Sequence, residues 1–99
     1  MPVQIKWLRT ARQNLDDEAS YIAQDDAAAA SRVVARVLEA VAQLAQQPGM
    51  GRPGRVPGTR ELLVLKTRYL VPYIVNGDQV TILRVFHTSR RLPKRWQAK

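Results

Sequence analysis

From Leu8 to Leu44 the apolar residues of this chain return every three or four positions; beyond Pro48-Gly49 they come in short β-type runs separated by turn residues. That change of period confines the fold. Two helices must bury their stripes together or against a sheet, and the later runs must build that sheet. The first stripe is Leu8, Ala11, Leu15, Ala19 and Ile22, one face of a helix. Asp25 and Asp26 then offer capping oxygens, and a second helix is expected to begin near Ala27. Its stripe is Ala30, Val33, Val34, Val37, Val41 and Leu44, and Pro48-Gly49 stops it. Ahead of both helices, Val3-Gln4-Ile5-Lys6-Trp7 alternates apolar and polar and reads as a strand.

Residues 48–58 form a Gly/Pro-rich loop. Segments 60–66, 69–75 and 79–87 read as strands, and Asn76-Gly77-Asp78 is a good hairpin turn between the last two. Pro72 cannot donate to a ladder, so its nitrogen side is expected to face a bulge or an unpaired position. The order β-α-α-β-β-β predicts an α+β domain: a helical hairpin packed on a mostly antiparallel four-stranded sheet. A single domain over 1–99 is expected, with 1–47 as strand plus hairpin, 59–87 as a three-stranded antiparallel sheet and 88–99 as a basic tail.

The chain has 99 residues and no cysteine. Disulfides, thiol nucleophiles and thiolate metal sites are therefore excluded, and neither a metal nor a cofactor is expected. No run approaches the roughly 18 apolar residues of a membrane span, and Met1 to Trp7 lacks a signal layout. A soluble, cytoplasmic protein is expected.

The net charge of +8 is unevenly placed. Residues 1–47 sum to −1, whereas residues 48–99 carry eleven Lys or Arg against only Glu61 and Asp78 and sum to +9. One strongly positive face follows, suited to phosphate backbones or an acidic protein partner. A plain DNA-binding domain would need a recognition helix with exposed basic residues. The first helix carries Asp16-Asp17-Glu18 and the second only Arg32 and Arg36. Direct sequence-specific DNA binding is therefore not expected.

The stretches Gly51-Arg52-Pro53-Gly54-Arg55, Gly58-Thr59-Arg60-Glu61-Leu62, Tyr69-Leu70-Val71-Pro72-Tyr73 and Val80-Thr81-Ile82-Leu83-Arg84-Val85-Phe86-His87, followed by Arg90, come in a characteristic order. With Tyr21-Ile22-Ala23 and Ala27-Ala28-Ala29 upstream, the set resembles the RelE/ParE superfamily toxins of type II toxin–antitoxin systems across nearly the whole chain. The resemblance implies a helical hairpin on a twisted sheet and a cognate acidic antitoxin whose tail wraps the toxin. It also implies one of two modes of growth inhibition: cleavage of messenger RNA on the ribosome in the RelE branch, or inhibition of DNA gyrase in the ParE branch.

These modes draw on different residues. A metal-independent endoribonuclease needs a base for the 2′-hydroxyl, cations for the phosphate and an acid for the leaving oxygen. His87, Arg84 and Arg90 are the catalytic candidates for that case. Tyr69 or Tyr73 would stack on a base. A histidine at a strand end also serves as a framework residue, and Arg84 is equally suited to pairing with Glu61 across the sheet. In the mRNA-cleaving branch an arginine often follows the first tyrosine of the third strand; here that position is Leu70. Gyrase inhibition needs no catalytic set, only a recognition surface. Its candidates are Arg52, Arg55 and Arg60, then Arg91, Lys94 and Arg95 with Arg90, and Trp96 as an aromatic anchor. The Gly-Thr-Arg-Glu-Leu and His-x-x-Arg pieces look closer to ParE-like sequences, so gyrase is the favoured target, with ribosome-bound mRNA as the alternative.

Overall fold

The computed structural model describes residues 3–88. Strand β1 (Gln4–Trp7) leads into helices α1 (Arg9–Ala23) and α2 (Ala27–Ala42), and α2 ends in a 3₁₀ turn at Gln43–Ala45. Strands β2 (Arg52–Pro53), β3 (Arg60–Val64), β4 (Tyr69–Asn76), β5 (Gln79–Ile82) and β6 (Phe86–His87) follow.

Local chemistry accounts for the helix boundaries. The Asp26 side chain accepts from Ala29 N at 3.0 Å, which satisfies one orphan donor at the start of α2. No side chain caps α1; its start is tied to the sheet instead, where Leu8 N donates to Ile82 O at 3.0 Å. The hairpin lays Ala11 and Leu15 of α1 and Val37, Val41 and Leu44 of the second stripe on one face of the sheet. There they meet Leu62, Val64, Val71, Tyr73, Val80 and Ile82. Burial of these side chains, at about 25 cal/mol per Å² of apolar surface, is the main force holding hairpin to sheet.

The strand order is β1-β5-β4-β3-β2, with β6 also paired to β4. Neighbours are antiparallel except β1 and β5, which run parallel with Ile5 opposite Val80 and Trp7 opposite Ile82. The α+β architecture is thus as expected, whereas the sheet holds six strands rather than four. One extra strand comes from the Gly/Pro loop, where Arg52 and Pro53 pair with Glu61 and Arg60. The other comes from division of the last segment at Leu83–Val85.

Pro72 explains that division. Leu83 N donates to Pro72 O at 3.0 Å, so the backbone polar side of Pro72 faces residues 83–85. An ordinary residue would donate there; proline has no N–H, and the chain leaves the ladder. Val85 is buried and its N–H still needs an acceptor, which Asn14 Oδ1 supplies from α1 at 3.1 Å. The β4–β5 hairpin closes through Gly77, whose φ of 61° suits the first position of a two-residue loop.

Asn14→Ala removes that acceptor and leaves a buried N–H without it. The expected loss is about 1–3 kcal/mol, read as a lower urea midpoint at unchanged slope, with Asn14→Asp retaining most of the stability.

Candidate functional site, a basic loop clasped on a strand edge

The segment from Pro48 to Gly58 has no helix and only two strand residues, yet its backbone is fixed at both ends. Tyr73, fully buried in β4, accepts from Gly51 N at 2.8 Å and donates its hydroxyl proton to Pro48 O at 2.8 Å. Arg60 Nη1 donates to Gly51 O at 2.7 Å and more weakly to Gly49 O at 3.4 Å. Only glycine fits at the centre of this knot. A Cβ on Gly51 would stand 2.7 Å from the Tyr73 hydroxyl and 2.8 Å from the Glu61 carbonyl oxygen. Burial pushes the Tyr73 phenol above its ordinary pKa, partly offset by the Gly51 N–H and the Arg60 charge.

The far end of the loop closes on Glu61. Its carboxylate accepts from Arg55 N at 2.9 Å and from the guanidiniums of Arg55 and Arg52 at 3.4 and 3.5 Å. The Glu61 side chain is only 2% exposed, whereas those of Arg52 and Arg55 are 65% and 38% exposed. The acid is thus a buried anchor, and the two cations turn their outer surfaces to solvent. The backbone bond is the stronger tie, because ion pairs this long with a solvated arginine contribute little. Thr59 completes the loop, with Oγ1 donating to Val56 O at 2.7 Å and its carbonyl accepting from Gly54 N at 2.8 Å.

The residues expected to meet a target divide into groups. Arg52 and Arg55 are presented together on this loop. Arg60 is occupied by the Gly49 and Gly51 carbonyls and serves the framework. Tyr69 and Tyr73, expected as stacking platforms for a base, are buried at 3% and 0% exposure, so their ring faces are closed. The Tyr69 hydroxyl donates to Glu18 Oε1 of α1 at 3.0 Å, and its ring meets the His87 ring edge to face at 5.1 Å. His87, half-buried, is thereby set opposite Tyr69 in the sheet.

Arg84 lies in the break after β5 rather than in a continuous strand. Its Nη1 donates to Leu83 O at 2.7 Å, and desolvation lowers its pKa. The expected pairing with Glu61 does not form, because Glu61 is held by Arg52 and Arg55. Arg90, Arg91, Lys94, Arg95 and Trp96 lie outside the described residues. Among the described residues no group of three or more metal-binding side chains comes together.

Sequence reasoning missed the anchoring role of Glu61 and the partnership of Asn14 and Glu18 with the sheet, because neither follows from local spacing. It also missed a groove of about 500 Å³ between α2 and the outer edge of β3, lined by Arg36, Ala40, Gln43, Leu62, Val64 and their neighbours. The unbroken apolar run Leu62-Leu63-Val64-Leu65 was the available signal, since a strand covered on one face alternates.

Comparison with known proteins accords with this geometry. The family described as ParE toxin of type II toxin–antitoxin system, parDE, matches residues 5–92. The toxin candidate Y4kP of Sinorhizobium fredii is 44% identical over 90 residues, covering 91% of this chain and 93% of that protein. A chain of the chromosomal ParDE TA system from P. aeruginosa superposes with a TM-score of 0.79 at 31% identity, covering 88% of this chain and 97% of the other. A chain of the toxin–antitoxin complex RelBE2 from Mycobacterium tuberculosis superposes with a TM-score of 0.64 at 26% identity, covering 88% and 99%.

Two outcomes test the loop anchors. Glu61→Ala should cost about 2–3 kcal/mol and release the Arg55 amide to faster hydrogen exchange, whereas Arg52→Ala should cost less than about 1 kcal/mol. For Tyr73 the raised pKa means that the fold favours the neutral phenol. Its contribution is complete below the ordinary value of 10.0 and is lost as pH rises through the higher folded value. Tyr73→Phe should therefore be less stable than the parent by about 1–3 kcal/mol at neutral pH, and the gap should narrow in alkaline unfolding measurements.

Proposed function

The chain belongs to the ParE toxin family of type II toxin–antitoxin systems, and on that premise we propose that it arrests growth by inhibiting DNA gyrase and is neutralised by a cognate acidic antitoxin. The observation that carries this reading is the match to the ParE family over residues 5–92, reinforced by the ParDE structure it resembles. The site chemistry supports it. Gyrase inhibition asks for a recognition surface rather than a reacting group, and the clasped loop presents Arg52 and Arg55 on a fixed backbone. A surface already held in place loses less conformational entropy when it docks. Leu70, at the position where mRNA-cleaving relatives often carry a phosphate-contacting arginine, is buried at 1% exposure. Arg90, Arg91, Lys94, Arg95 and Trp96 complete the proposed surface.

An antitoxin partner follows from the same family and from charge. A chain of net charge +8 attracts an acidic protein and accelerates their encounter at low ionic strength. No helix among the described residues is long and apolar enough to cross a membrane, and the proposed target lies in the cytoplasm.

The deciding experiment adds purified protein to a gyrase supercoiling reaction and, separately, to a ribosome programmed with mRNA. Loss of supercoiling with intact message is expected, and replacing both Arg52 and Arg55 by Ala should raise the concentration needed by about tenfold. Cleavage of the message with unaffected gyrase would reverse the assignment.

A further inference from the structure

The outer edge of β3 is only partly occupied. β2 pairs with Arg60 and Glu61 and goes no further, so the edge is open from Leu62 onward. The register fixes which backbone groups face out. The carbonyl of Pro72 points to the β5 side, so alternation turns those of Val71 and Tyr69 toward β3, opposite Leu62 and Val64. The polar groups of Leu62 and Val64 are thereby used within the sheet, and the N–H and C=O of Leu63 face outward.

Two apolar surfaces flank that open edge. On the helix side, the groove between β3 and α2 has Leu62, Val64 and Ala40 in its lining. On the other side stand Leu63, 54% exposed, and Leu65, 78% exposed. An open edge with apolar side chains on both faces is what sheets ordinarily blunt with charge or proline. Proline is present only in β2, beyond the open stretch. The charges sit at the rim, with Arg36 on α2, Arg52 at one end and Lys66 in the turn at the other. Glu39 is the one solvated acid in the groove lining, since Glu61 is buried among arginines.

We propose that the Leu62–Leu65 edge and its groove take an extended acidic segment of a partner protein as an added strand. Its alternate apolar side chains would enter the groove against Ala40 and cover Leu63, while its acidic residues meet Arg36, Arg52 and Lys66. Main-chain bonds at Leu63 supply part of the affinity and the two side-chain rows the selectivity. A second copy of this chain is the poorer occupant, because two edges with the same cationic rim and a net charge of +8 each repel. The inference rests on the antitoxin reading for the identity of the partner, although the edge chemistry stands by itself.

The test uses the full-length protein and two probes. The first is a capped peptide of about ten residues alternating Glu and Val, with a Lys-Val peptide as control. The second is the acidic protein encoded beside this chain. The Glu-Val peptide should slow hydrogen exchange of the Leu63 amide by at least about tenfold, and the Lys-Val peptide should not. Leu63→Glu and Leu65→Glu, both at exposed positions, should weaken peptide and companion binding by about tenfold each with little effect on the unfolding midpoint. Absence of Leu63 protection by the Glu-Val peptide, or protection of Gln4–Trp7 at the opposite edge instead, overturns the proposal. So does Leu63 protection in the isolated protein that accompanies dimer formation. If the Glu-Val peptide binds as expected and the companion neither binds nor relieves growth arrest, the edge assignment survives and the antitoxin reading fails. If the companion binds and Leu63→Glu leaves its affinity unchanged, the docking site is wrong and the antitoxin reading stands.

Discussion

One phenol joins the two halves of this molecule. Tyr73 fills the core beneath the helices, and its hydroxyl accepts from Gly51 while donating to Pro48. The same group therefore ends the helical part of the chain and begins the basic part. Were the loop to lift away, the hydroxyl would be left buried without either partner, and a desolvated polar group of that kind is costly. The position of Arg52 and Arg55 in space is thus set from the interior outward. The core holds Tyr73, Tyr73 holds Gly51, and the short β2 that follows carries the arginines to Glu61.

Helix α1 gives the sheet a second polar support. Asn14 and Glu18 lie four residues apart and so share one face of the helix. Asn14 accepts from the Val85 N–H at the break, and Glu18 accepts from the Tyr69 hydroxyl, whose ring backs His87. Both bonds serve the end of the sheet where proline has interrupted the ladder. The acidic character of α1 is therefore partly structural, and the charge difference between the two halves of the chain is bridged at this seam.

Much of this architecture was legible from the residues. The stripe from Ala30 to Leu44 marked the buried side of α2, Asp26 marked its start, and Pro72 marked where the ladder would fail. These signals are local, because each depends on a period or on a missing donor within a few positions. What was not legible depends on contacts across the fold. The Arg52–Pro53 strand is too short to have a period, and only its pairing with Arg60–Glu61 reveals it. Tyr69 and Tyr73 looked like binding residues because a buried tyrosine and an exposed one read alike in sequence. Burial separates them from Arg52 and Arg55, which share the same family pattern but face solvent.

The parallel pairing of β1 with β5 carries a consequence for biogenesis. Gln4–Trp7 is the first element to be made, and its neighbour in the sheet, Gln79–Ile82, is among the last. The N-terminal strand must wait unpaired through synthesis of both helices and most of the other strands, and a closure spanning so much sequence is slow. A truncated or still-growing chain therefore lacks one border of its sheet. A cell making this protein meets its finished surface only after translation is nearly complete, which leaves an interval in which a binding partner already present is ahead of it.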